Sequence, residues 1–128
     1  MLEKLWSLQK IIYQELKNTK ELTDIISEIY NSHPEETNFP YIVFNFEDII
    51  FIPTKTDKKL SVKLVFKIYD SEKTNQNLLK IGFMLEQILP NINFVKTDIH
   101  ISLIKILNVN FEEIKNKQML SLSFNIIF

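Results

Sequence analysis

Apolar residues fall at Leu5, Leu8, Ile12 and Leu16, three or four positions apart within an otherwise polar stretch from 3 to 17. At 3.6 residues per turn they share one face, so the spacing predicts an amphipathic helix. Asn18 tolerates the left-handed conformation that ends helices. Thr19 is placed to cap a second, shorter helix with Leu22, Ile25, Ile26 and Ile29 inward. Pro34 bars its continuation, because proline pushes the preceding residue out of the helical region. The rhythm then changes. Residues 41–46 are β-branched and aromatic, as in a strand that starts just after Pro40. Residues 60–68 alternate, with Leu60, Val62, Leu64, Phe66 and Ile68 on one side and Ser61, Lys63 and Lys67 on the other, broken only by Val65. This predicts a half-buried antiparallel strand.

Between these strands, residues 48–58 begin apolar and turn polar around Pro53, which reads as a long loop or a projecting hairpin arm. Asp70 or Ser71 can cap a third helix over 73–89, ended by Pro90. Leu78, Ile81, Leu85 and Ile88 form its stripe, widened by Leu79, Met84 and Leu89. Gly82 sits mid-helix, at a cost of ~1 kcal/mol relative to alanine, which suggests a close approach to the sheet. Residues 99–111 alternate again, with Lys105 the one polar residue on the Ile99, Ile101, Leu103, Leu107, Val109, Phe111 face. A polar turn over 112–117 leads to a last strand, where Leu120, Leu122, Phe124, Ile126 and Phe128 alternate with Ser121, Ser123 and Asn125. The order α-α-β-(arm)-β-α-β-β predicts one α+β domain over residues 1–128, with an about four-stranded, mainly antiparallel sheet and helices packed on one face.

Composition narrows the chemistry. At 128 residues the chain fits one domain with a core of its own. It has no cysteine, which removes disulfides, thiolate metal sites and a cysteine nucleophile. Its one glycine cannot build a phosphate-cradling loop or a nucleophile elbow. With no arginine there is no bidentate guanidinium clamp, and a net charge of -1 supplies no field to draw in nucleic acid. The amino-terminal stretch is charged and amphipathic, unlike a signal peptide, and no run approaches the ~18 apolar residues of a membrane span. A soluble protein made in the cytoplasm is expected, with no specific nucleic acid and no membrane as partner.

His33, Glu35 and Glu36 form the most suggestive cluster, yet a metal site needs three or four ligands and no histidine pair at helical spacing exists. A solvated turn is the simpler reading. His100 is expected mid-strand on the polar side, far away in sequence. The pairs Glu47-Asp48 and Glu112-Glu113 are expected at strand ends, where charge costs little. Ser121 and Ser123 are expected to point out of a strand with no histidine nearby. Trp6 and the phenylalanines read as core rather than as a stacking platform. No catalytic, cofactor or metal site is expected.

Two segments carry a resemblance. One is "HPEETNFPYIVF" (33–44), with paired prolines between the helix pair and the first strand. The other is "FKIYDSEKTNQNLLKIGFMLEQIL" (66–89), a strand running into a long helix stopped by proline. Together, and in element order over nearly the whole chain, they resemble the tail terminator (tail completion, or head-to-tail joining) proteins of long-tailed phages, prophages and gene transfer agents. Tyr69 stands where that family often has tryptophan. The resemblance implies a non-enzymatic virion assembly protein. It would form a ring, commonly of six subunits, on the head-proximal end of the tail tube, stop tube growth and offer the surface on which the head docks. Its partners would be itself, the tail tube protein and a head-completion protein. It would act in the host cytoplasm during assembly and then in the virion.

The same resemblance gives the arm a use as a subunit or tail-tube contact, through Ile52, Thr54, Lys55, Thr56, Asp57, Lys58 and Lys59. An alternative for the arm is a hairpin whose apolar residues simply continue the sheet. For the whole protein, the alternatives are a head-completion adaptor of the same connector, or a small α+β enzyme or ligand-binding domain. A concave apolar pocket with converging polar groups would favour the last.

Overall fold

The computed structural model describes residues 2–35, 37–53, 58–71, 75–95 and 97–128. Helix α1 (Leu2–Asn18) buries Leu8, Ile12 and Leu16, with Leu5 packed partly against the same core. Trp6 departs from expectation. It lies on the opposite side of the helix, 61% exposed, and the Lys10 ammonium one turn on sits 3.5 Å from its ring centroid. Asn18 is not left-handed; among the described residues only Asp48, Lys115 and Asn116 have positive φ. Thr19 does hold the N-cap position of the next helix, but makes no side-chain cap bond, because its hydroxyl donates back to the Glu15 carbonyl at 2.8 Å.

Helix α2 (Lys20–Thr23) is therefore a single turn, and Ile29, expected on its inner face, opens a short strand β1 (Ile29–Tyr30). The reason lies in the backbone. Ser27 N–H donates to the Pro40 carbonyl at 2.7 Å and Ile42 N–H to the Glu28 carbonyl at 3.1 Å. The chain exchanges helical bonds for a parallel ladder, while Ile26 and Ile29 still reach the core.

Strands β2 (Tyr41–Pro53) and β3 (Lys58–Asp70) make one long antiparallel hairpin. Residues 49–53, expected to begin a loop or arm, continue the sheet: Ile50 faces Ser61, Ile52 faces Lys59 and Pro53 faces Lys58. A bulge after Glu47, with Asp48 at φ 50°, separates this extension from the base. Glu47 and Asp48 thus sit within a strand, not at its end. Thr54, Lys55, Thr56 and Asp57 lie outside the described residues.

Helix α3 (Gln76–Ile88) is shorter than expected and passes into a 3-10 turn (Leu89–Asn91). Asn75 holds the N-cap position. Asp70, expected to cap, is buried and accepts from Ser71 N–H (2.8 Å) and Asn77 Nδ2 (3.2 Å). Strands β4 (Leu103–Ile114) and β5 (Lys117–Ile127) close the fold through the two-residue turn Lys115-Asn116. Both turn residues have positive φ, 47° and 68°, as a tight hairpin requires. Ile99 and His100 precede β4 rather than lying within it. Ser123, expected to point outward from β5, is buried.

The sheet has five strands in the order β1-β2-β3-β5-β4, all neighbours antiparallel except β1 and β2. The short β1 is the addition to the expected four. One face buries Phe44, Phe66 and Phe124 beneath the helices, in a core shared with Ile12, Leu22, Leu78 and Leu85. The single glycine sets the helix height: a Cβ on Gly82 would lie 2.8 Å from Leu120 Cδ2 of β5.

Candidate assembly surface

Helix α3 rests on β3 and β5. It does not extend to cover β4, the outermost strand. The pairing Leu120–Phe111, Leu122–Val109 and Phe124–Ile106 puts these β4 residues on the helix side of the sheet. Yet Ile106, Val109 and Phe111 are 38%, 49% and 42% exposed. Leu107, unpaired in the β4 bulge, is exposed as well. Leu79, expected in the buried stripe of α3, and Phe83 one turn later are also exposed. They share a helix line with Gln87 and Pro90, which face Ile104 and Ile106 across a groove of about 360 Å³. Exposed apolar residues therefore lie on both α3 and the sheet edge, on either side of a groove whose helix wall also carries Glu86, Gln87 and Asn91. Surface of this kind marks an interaction site more often than a free face.

A second apolar stretch lies at the opposite edge. Ile49, Ile50 and Phe51 of the hairpin extension are 39%, 57% and 57% exposed. Of the arm residues expected to make contacts, Ile52 and Lys59 are half-buried opposite each other and Lys58 is exposed. Lys59 Nζ donates to Ser102 Oγ at 2.6 Å, tying the hairpin to the segment that enters β4. The other four arm residues, Thr54, Lys55, Thr56 and Asp57, are those outside the described residues.

The turn at His33 is exposed, and the His33 side chain also reaches two tyrosines. Its ring centroid lies 5.2 Å from Tyr69 and 6.0 Å from Tyr41, which stack on each other at 4.9 Å on the face away from the helices. Glu36, the other member of the cluster with Glu35, lies outside the described residues. Burial raises both tyrosine pKa values above their ordinary value; the Tyr69 phenol adds to the effect on Tyr41, and Glu112 to that on Tyr69. His33, Lys67 and Lys117 border an open cleft of about 380 Å³ beside this stack. His100 borders another, of about 340 Å³, with Lys58, Lys59 and Asp98 at the far end of the sheet. The two histidines are not brought together. Among the described residues no three His, Cys, Asp or Glu side chains are grouped to hold a metal ion, and no helix is long and apolar enough to cross a membrane.

No family model matches the chain, and no curated protein matches it in sequence. A solved structure shares its fold. A chain from the "Virion of native gene transfer agent (GTA) particle" superposes with a TM-score of 0.80. The match covers 94% of this chain and 92% of that one, at 14% identity. The likeness therefore takes in the helices, the long hairpin and the edge strand together, and at that identity it is a likeness of fold.

Proposed function

We propose that this chain is a structural protein of a phage-like or gene transfer agent particle. Its role in this reading is to cap the head-proximal end of the tail tube as a ring, stop tube growth and provide the surface on which the filled head docks. The observation that carries the reading is the near end-to-end fold likeness to a chain of a gene transfer agent virion. The exposed apolar residues of α3 and β4 support it, since a subunit of a larger assembly leaves such surface for its neighbours. The tail-capping role itself rests on the sequence resemblance carried by residues 33–44 and 66–89. The partners are further copies of the chain, six in the assembled ring, together with the tail tube protein and a head-completion protein. No catalytic step is assigned. The hairpin arm, with Ile52, Lys58, Lys59 and the segment 54–57, is the proposed contact to a neighbouring subunit or to the tube.

Complementation in the particle-producing host tests this. Deleting the gene should give tails of uncontrolled length that carry no heads, and the intact chain should restore both length and joining. Tails of normal length that merely fail to join heads would instead make the protein a head-completion adaptor. Replacing residues 54–58 by a short Gly-Ser turn should lower assembly without unfolding the chain. If that variant terminates tails like the parent, the arm is not a contact.

A further inference from the structure

The sheet has two open edges. On one side, β1 pairs only with Ile42 and Val43, so β2 from Phe44 onward has no outer neighbour among the described residues. On the other side, β4 has none along its length among the same residues. Such edges present unpaired N–H and C=O groups and invite another strand. Monomeric proteins blunt them with charges and bulges, and β4 does carry Lys105 and a bulge at Leu107. Here, however, each blunting feature has a counterpart on the opposite edge. Glu47 matches Lys105 on one rung, and each edge carries one bulge, at Asp48–Ile49 and at Leu107, two to three rungs apart.

The correspondence can be followed rung by rung through β3 and β5. Phe44, Phe66, Leu122 and Val109 form one rung, and Phe46, Leu64, Phe124 and Ile106 another, both on the helix side. On the opposite face, Asn45 shares a rung with Asn108, Glu47 with Lys105 and Ile50 with Leu103. Apolar therefore meets apolar, amide meets amide and acid meets base, at the same heights on the two edges. Strand direction agrees as well. β2, β3, β5 and β4 alternate in direction, so a copy placed beside β4 in the same orientation offers its β2 antiparallel, like the other long pairings of the sheet.

We propose that the two edges are partners: β4 of one copy pairs with β2, from Phe44 to Ile50, of the next. The occupant of the open edge is a second copy of this chain. The contact is head-to-tail, so repeating it gives a closed ring when the rotation closes. It would set Glu47 of one copy beside Lys105 of the next. It would also bring Ile106 against Phe46, and Val109 up to the helix-covered rung of Phe44. This inference deepens the ring proposed above and rests on it.

The chain has no cysteine, which makes a cross-link specific. Asn45 and Asn108 are both exposed and lie three strand spacings apart within one chain. That is about 14 Å at ~4.8 Å per spacing, beyond the ~7 Å limit for a disulfide. In the double variant Asn45→Cys, Asn108→Cys, any disulfide between the two positions must therefore join two chains. Mild oxidation of this variant, purified or within assembled particles, should give a ladder of covalent multimers on a non-reducing gel. Either single variant should give none above a dimer. Lys105→Glu should lower the mass seen by light scattering, and adding Glu47→Lys should recover at least part of it. No intermolecular bond between the two introduced cysteines in either preparation overturns the edge pairing, and so does a dimer formed by Asn108→Cys alone as readily as by the pair. Rings or particles that form without the cross-link would leave the tail-capping reading standing and defeat only this interface. A cross-linked ring with no effect on tails would do the reverse.

Discussion

Strands β5 and β4 are neighbours with the same apolar alternation, and they end in opposite situations. Leu120, Leu122 and Phe124 are 2%, 3% and 2% exposed, while their rung partners Phe111, Val109 and Ile106 are 42%, 49% and 38% exposed. The difference is not in the residues. It lies in the position of α3, which Gly82 lets down onto Leu120 and which leaves the edge strand bare. In β4 the bulge at Leu107 also overturns the single face expected from alternation, because Leu103 and Lys105 lie away from the helices while Val109 and Phe111 lie on their side. Alternation holds only between bulges. It does not say what covers a face.

The largest effect should come from the covered side. Phe66 is fully buried between Phe44 and Phe124, and Phe66→Ala should cost ~3–5 kcal/mol in chemical denaturation. A loss below ~1 kcal/mol would mean that this face is not the core. Next, Gly82→Ala sets a gain of ~1 kcal/mol in helix propensity against ~1–3 kcal/mol of overpacking on Leu120. A net loss of up to about 2 kcal/mol is expected. A clear gain would show that the Leu120 side chain or the helix shifts to make room for the methyl. On the less covered side, Val109→Thr should cost the isolated chain ~1 kcal/mol or less, while reducing its assembly. A loss in the isolated chain as large as that of Leu122→Ala would erase the contrast between the strands.

The smallest effect concerns the exposed Lys17–Glu28 pair, at 2.8 Å, which holds the connection between α2 and β1 near the end of α1. The lysine hydrogen bond, with a further one from Ile29 N–H, lowers the Glu28 pKa, and the glutamate raises that of Lys17. The lowered acid contributes stability above its unfolded pKa and loses it as pH falls through the folded value. The raised base contributes below its unfolded pKa and loses it as pH rises through the folded value. Glu28→Gln should therefore cost well under ~1 kcal/mol near neutrality, given solvent screening, and its difference from the parent should fade in acid and in strong alkali. A difference that persists in acid would show that the effect is not the charge.

The central strands were legible because they are buried on the side their alternation predicts, as with Leu60 to Ile68 and Leu120 to Ile126. Gly82 was legible too, since a glycine inside a helix needs a reason. Ile25, Ile26 and Ile29 misled because helical spacing also suits a single turn followed by a strand, and a two-residue strand carries too little pattern to be seen. Leu79, Trp6 and the β4 residues misled for one shared reason: they are apolar residues that this chain alone does not cover. The edge complementarity was invisible in the sequence. Glu47 and Lys105 become related only when the register of three strand pairings is known.

Hydrogen exchange in the isolated chain and in assembled particles tests the central claim most directly. In the isolated chain the β4 amides that do not bond to β5, and those on the free side of β2 from Phe44 to Ile50, should exchange quickly. In the assembled state both sets should become protected together. If β4 stays as open in the particle as in the free chain, while protection appears elsewhere, the bare edge is not where one copy meets the next.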